Sequence, residues 1–411
     1  MNTTSPPIED PLRWSRRNLR LIALLCTFLM LLMWLRLETR RPDSGRLPSN
    51  IDVVVFHIAG LRADALSTKD LASSLGLDRD QLLFWPQAFA QSSVALHSSL
   101  SMLQGDLALD LDRSPGPESL VPRLRDAGYQ TLLVTDSSAL HKRTAALFDQ
   151  AALSPDTKNL LENVERLWAE SSQPGPRFLM LDLNVSGQPL HARTTEAVAL
   201  RHAYAERIED LSGVLAQLAQ LTAPNNAGQL TVLLGASGLE LGEHPQQTET
   251  PFDPHLHVPF VMGLRQATGL PIGRQPGLVQ SADLAPTLLD LLDLRTQQQR
   301  TRDQAQRLGR SLEASCHGWS EGPVHQVLYL AGPNHLVART PDWKLISAVT
   351  PPWQMERSSA HLYSLAEDPQ EHSNLLSTGP MGPVAEKLYS GLNGWLSSPT
   401  VLAKGSQESR P

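Results

Sequence analysis

Apolar positions along this chain fall into two alternating kinds of run. Asp52–Ile58, Gln130–Thr135, Arg177–Leu183, Gln229–Gly235 and Val258–Met262 are short, nearly continuous and rich in branched side chains. Such runs predict strands covered on both faces. Between them, Ser119–Ala127 and Thr194–Leu221 show the three- and four-residue spacing of amphipathic helices. The alternation predicts an α/β fold, a mostly parallel sheet between helices. Beyond Gly309 the pattern changes to short strands around Val327–Leu330 and Leu336–Ala338, then a helix near Val384–Leu396, which predicts a small C-terminal α/β subdomain. There is no internal repeat.

One apolar run is of another kind. Leu21–Leu35 carries no charge, and is preceded by Arg13, Arg16, Arg17 and Arg20 and followed by Arg36, Arg40 and Arg41. It falls short of the ~20 residues of a spanning helix, but Arg20 and Arg36 can snorkel and extend it. A single transmembrane anchor is expected at 19–37, with residues 1–18 in the cytoplasm from the arginine bias. No small-x-small cleavage site follows, so the anchor is expected to be retained. The stretch Ser15-Arg16-Arg17-Asn18-Leu19 also resembles a twin-arginine export signal. The organisation that follows is a polar linker at 38–50, an α/β domain at 51–310, a C-terminal subdomain at 311–400 and a loose tail at 401–411. The expected location is the inner (cytoplasmic) membrane, single-pass, with the main domain in the periplasm.

With 411 residues, 41% hydrophobic and 19% charged, the chain is neither disordered nor fibrous. A net charge of −7 leaves no basic footprint, so nucleic acid is not an expected partner. The two cysteines are Cys26, inside the expected anchor, and Cys316, so neither a disulfide framework nor a zinc site is expected.

The order of motifs resembles the sulfatase family of the alkaline phosphatase superfamily. The first strand leads into Leu61-Arg62-Ala63-Asp64. Ala88–Ser93 with Leu96–Gly105 is similar to the family's nucleophile segment. Gly238-Leu239-Glu240-Leu241-Gly242-Glu243-His244 is similar to the turn after its second metal strand, and His257-Val258-Pro259-Phe260 to its next strand. Ser281–Leu289 matches its Asp-Ile-Ala-Pro-Thr-Leu helix. Gly309-Arg310-Ser311-Leu312, Trp343-Lys344-Leu345 and Leu362–Leu365 with Asp368-Pro369, Glu371 and Asn374-Leu375 resemble its C-terminal signature. The resemblance spans about residues 50 to 377. It implies a hydroxyl or modified-cysteine nucleophile beside a divalent cation on hard oxygen ligands, with histidine or lysine assisting.

Position by position, this chain lacks those groups. The metal-binding aspartates after the first strand are replaced by Ala59 and Gly60, the nucleophile by Ala95, the second metal pair by Ala236 and Ser237, and a histidine by Gly187; the expected lysine falls near Thr248. Alanine and glycine side chains neither ligate nor attack. The reading is therefore a degenerate sulfatase-like protein, a membrane-anchored pseudoenzyme acting as a binding or regulatory module in the cell envelope. Beyond the bilayer, an envelope protein, lipid headgroup or polysaccharide is the expected partner, and no cofactor is expected. The alternative is a hydrolase or transferase of sulfate or phosphate esters with a divalent metal ion and a relocated nucleophile: Ser92, Ser93, Ser98 or Ser99. Its weak metal set is Glu243, His244, Asp253, His255 and His257, the last two sharing one strand face at i, i+2. As serines near a strand–helix turn, the four hydroxyls are expected to cap the helix. His57 is expected to be a hydrogen-bonded core residue, and Arg62 and Asp64 to tie the first loop to the scaffold.

Overall fold

A computed structural model of the chain describes residues 47–397, save 49, 66, 68–69, 71–72, 78–81, 108–113, 172–174, 186–195, 225–226, 245–250, 271–272, 319–322, 351–353 and 378. The expected anchor, most of the linker, Gly187, Thr248 and the tail lie outside the described residues. Among those described, no helix is long and apolar enough to cross a membrane.

The strands are β1 (Asp52–Ala59), β2 (Leu82–Phe84), β3 (Ala88–Phe89), β4 (Gln130–Thr135), β5 (Gln150–Leu153), β6 (Arg177–Asn184), β7 (Gln229–Ser237), β8 (Phe260–Arg265), β9 (Gly273–Arg274), β10 (Val279–Gln280), β11 (Leu328–Ala331), β12 (His335–Arg339), β13 (Trp343–Thr350), β14 (Gln354–Met355) and β15 (His361–Ser364). The helices are α1 (Ala95–Gln104), α2 (Leu120–Asp126), α3 (Ser138–Thr144), α4 (Thr157–Glu170), α5 (Ala197–Leu221), α6 (Asp253–Leu256), α7 (Leu284–Leu291), α8 (Gln297–Gln306), α9 (Glu313–Cys316) and α10 (Pro383–Leu396). The main sheet runs β5-β4-β6-β1-β7-β8-β2-β9. Strands β5, β4, β6, β1 and β7 are parallel, whereas β8 is antiparallel to both β7 and β2.

The alternation along the strands divides the core. Val53, Val55, Phe178, Met180, Leu230 and Val232 pack with Leu100 and Leu103 of α1, Leu120 and Leu124 of α2, and Leu284 and Leu288 of α7. Val54, Phe56, Ile58, Leu179, Leu181 and Leu233 pack with Leu160 and Val164 of α4 and Leu211 and Leu215 of α5. Two faces buried at once require the near-continuous apolar runs seen in the sequence.

The C-terminal unit differs from the expected α/β alternation. It is an antiparallel sheet, β11-β12-β13-β14 with β15 on β13, because its short strands follow one another through turns that leave no room for crossover helices. Helix α10 covers one face through Ala385, Leu388 and Leu392. The other face meets the main domain at Phe89, Phe252 and Leu256. The main-domain segment Gln91–Ser93 joins the edge of this sheet: Gln91 Nε2 donates to the Tyr329 carbonyl (2.6 Å), Ser93 N to that of Ala331 (3.1 Å), and Ala331 N to that of Gln91 (3.0 Å).

Candidate functional site

In an open α/β sheet, ligands bind beyond the carboxyl ends of the parallel strands. Here that edge is formed by Ala59 of β1, flanked in register by Asn184 of β6 and Ser237 of β7. Gly60 follows with φ 78°, and its N–H points at Ser237 Oγ at 3.4 Å. Tyr204 from α5 fastens this loop: its hydroxyl donates to the Gly60 carbonyl (2.9 Å) and accepts from Arg62 N (3.0 Å). The Arg62 guanidinium holds Asp64 through two bonds (2.9 and 3.0 Å), Glu243 (2.8 Å) and the Leu239 carbonyl (3.0 Å). It braces the loop after β1 against the turn after β7.

A divalent cation on hard ligands wants six or more oxygens, carboxylates among them. Ala59, Gly60, Ala95, Ala236 and Ser237 offer a single hydroxyl between them. These residues do not fit the cation that the sulfatase resemblance implies.

Two residues deeper along the strands lies a buried polar group. Register sets His57 beside Asp182 and Asp182 beside Thr135. His57 Nδ1 lies 2.9 Å from Asp182 Oδ1, Ser99 of α1 donates to the same oxygen (3.1 Å), and Thr135 donates to Oδ2 (3.0 Å). The acceptor at Nδ1 assigns the proton to that nitrogen, leaving Nε2, which is buried and has no hydrogen-bond partner among the described residues. Ser99 Oγ is 3.3 Å from Nδ1, the nitrogen Asp182 already engages. In a serine–histidine–aspartate triad the hydroxyl meets the opposite ring nitrogen. The three residue types are together, but the triad geometry is not.

At the mouth above this group, Asp136 accepts from Asn184 N at 2.8 Å. Asp136 is exposed to solvent on one side, and crowding by the surrounding protein, with the nearby Asp182 charge adding to it, raises its carboxyl to about 6.

The helix-capping expectation for the serines is not met. The N-cap of α1 is Val94, which has no side-chain oxygen to bond the first turn. Ser92 Oγ accepts from Val94 N (3.1 Å), Ser98 Oγ from Ser92 N (3.1 Å), and Ser99 points down to Asp182. Strand–loop pairing with Ala331 fixes the backbone of Ser92 and Ser93 before the helix starts, and the Ser92 hydroxyl stays within that loop.

Nor do His255 and His257 share a strand face. Residues Asp253–Leu256 turn as a short helix with Pro254 in its first turn, and His257 is its C-cap. Four members of the five-residue set are committed elsewhere, whereas the buried Nε2 of His255 has no hydrogen-bond partner among the described residues. Glu243 holds Arg62, and His257 Nε2 meets the Pro86 carbonyl at 2.8 Å. His244 sits between Glu240 Oε1 (2.9 Å) and the Gln370 carbonyl (2.7 Å), while His255 Nε2 is 3.9 Å from Glu240 Oε2. Asp253 receives Arg339 (3.0 Å) and Lys344 (2.8 Å), and Lys344 also reaches Glu371 (2.7 Å). Burial acts to raise the Asp253 carboxyl, but those two cations outweigh it and hold it well below the usual range. Among the described residues, no group of three or more His, Cys, Asp or Glu is placed to hold a metal ion.

Sequence reasoning passed over Asp182 and Thr135 as site residues, and named Glu240, Lys344 and Glu371 only as parts of motifs, without a role. A signal existed for the first two: each is a polar residue near the end of an apolar strand, where its neighbours predict a hydrophobic side chain.

Solved structures share this architecture. A protein of Bacteroides thetaiotaomicron assigned to the sulfatases superposes with a TM-score of 0.65 over 88% of this chain and 94% of its own, at 13% identity. A 2-O GAG sulfatase gives 0.64 over 88% and 94%, at 14% identity. The phosphonate monoester hydrolase of Agrobacterium radiobacter gives 0.62 over 86% and 96%, at 13% identity. No family model and no curated protein matches the chain. The fold is therefore sulfatase-like, of the class that sulfatases and a phosphonate monoester hydrolase share.

Proposed function

We propose that this is a membrane-anchored, sulfatase-like pseudoenzyme that serves as a binding or regulatory module in the cell envelope. What supports the reading is that Ala59, Gly60, Ala95, Ala236 and Ser237 stand at the ends of β1 and β7 and the start of α1, where the sulfatase resemblance implies metal ligands and a nucleophile. The loop that would carry metal ligands is instead braced by Tyr204 and Arg62. The anchor keeps the domain within linker reach of the bilayer, where an envelope protein, lipid headgroup or polysaccharide is the partner to seek.

The test is turnover of 4-nitrophenyl sulfate and 4-nitrophenyl phosphate by the full chain, with and without Mg²⁺, Ca²⁺, Mn²⁺ or Zn²⁺. No rate above buffer is expected. No single reversion among Ala59→Asp, Ala95→Ser, Gly187→His, Ala236→Asp and Ser237→His is expected to create one, because a nucleophile without its metal is not activated. Wild-type turnover abolished by Ser99→Ala in a folded protein overturns the reading. It would favour the ester hydrolase alternative, which one observation supports: Ser99 stands beside His57 and Asp182.

A further inference from the structure

We propose that His244 is a proton-operated strap that ties the turn after β7 to the Asp368–Ser373 loop of the C-terminal unit and lets go when it loses its proton. Both ring nitrogens face acceptors: Nδ1 meets Glu240 Oε1 at 2.9 Å and Nε2 meets the Gln370 carbonyl at 2.7 Å. A neutral imidazole has one N–H and one lone pair, so it can satisfy only one of these contacts and sets its lone pair against the other. The imidazolium donates to both. Stacking on Phe252, with ring centroids 3.8 Å apart, holds the plane that makes both bonds possible.

The surroundings favour the charged form. Burial pulls the imidazole toward neutrality, but the Glu240 hydrogen bond, the Gln370 carbonyl and the charges of Glu240 and Glu371 outweigh it, so the group titrates above the ordinary histidine value of 6.5. The other groups around it are Glu243 on its own turn, His255 and Asp253 from α6, Lys344 from β13, and Asp368 and His372 from the loop. Because the folded value lies above the unfolded one, the strap is fully present below 6.5 and is lost as pH rises through the raised value.

The strap reaches past its own contacts. Glu240 Oε1 also accepts from His244 N (2.7 Å), and Glu243 of the same turn accepts from Leu241 N (2.6 Å) and from Arg62 (2.8 Å). A slackened turn therefore loosens the brace on the loop after β1, at the mouth of the vacated site. This holds whether or not that site takes a ligand.

The experiment is hydrogen exchange of the full-length protein by mass spectrometry, corrected for intrinsic rates, across about pH 6 to about pH 9. Peptides covering 239–244 and 368–374 are expected to lose about tenfold protection across that range. His244→Gln, which does not titrate, should show reduced protection without the step. Glu240→Gln removes the anion that favours the charged ring and should move the step to lower pH. His255→Asn and His372→Asn should retain it. A flat wild-type profile, a step that survives His244→Gln, loss of the step in either other histidine variant, or an unchanged midpoint in Glu240→Gln overturns the proposal. If His244→Gln does not fold, the Glu240→Gln midpoint decides.

Discussion

Asp136 and Lys344 show opposite ways of placing a charge. The Asp136 carboxyl, raised from an ordinary 3.8 to about 6, holds a proton in the folded protein that the unfolded chain has already released. Its favourable contribution is therefore present below about 3.8 and is lost as pH rises to about 6. Asp136→Asn should raise the melting temperature at neutral pH and flatten its dependence between those values; an unchanged profile would remove Asp182 and crowding by the surrounding protein as the cause. Lys344 is fully buried between Asp253 and Glu371. Lys344→Met leaves Arg339 on Asp253 but deprives the buried Glu371 of its cation. A cost of about 3–5 kcal/mol is expected from urea unfolding, the usual result of breaking a buried pair.

Two glycines separate the demands of an element from those of its neighbours. Gly213 lies within α5, and a methyl group there meets nothing within 4 Å, so Gly213→Ala should stabilise by about 0.5–1 kcal/mol. At Gly238 the same methyl would lie 2.1 Å from the Pro254 carbonyl oxygen. Gly238→Ala should cost about 3 kcal/mol or more, since backbone must move. Melting curves of the two variants, shifted in opposite directions, check both. The same distinction explains what could be read ahead of the structure. Strands β1, β4, β6 and β7 were visible because burial on both faces writes itself into consecutive residues. Strand β8 was recognised, but its reversal was not, since direction shows only in its pairing with β7 and β2, which lie apart in sequence. The expectation of a lost site at Ala59, Ala95 and Ala236 rests on motif order, which sets the frame for the comparison. The His57–Asp182–Thr135 group was not readable, since it exists only through register between strands distant in sequence. The serine side chains were misjudged because Ser92 and Ser98 bond within the loop and first turn, while Ser99, inside α1, bonds the Ala95 carbonyl and Asp182 of β6.

At the scale of the molecule, the expected placement outside the inner membrane has a direct check. A fusion after Asp52 to a reporter active only in the periplasm should be active, and one active only in the cytoplasm should not. Addition of Mg²⁺ or Ca²⁺, or of a chelator, should leave the melting temperature unchanged, whereas a bound ion at ~100 times its dissociation constant would stabilise by about 2.7 kcal/mol. The seam between the two sheets matters for the chain's own history. Gln91 bonds the Tyr329 carbonyl across 238 positions of sequence, and Ser93 pairs with Ala331 beside it. During synthesis, the segment entering α1 must wait with its edge unpaired until β11 arrives. A chain stopped near residue 310 therefore leaves that edge unpaired and open to proteolysis or aggregation rather than forming a smaller finished domain.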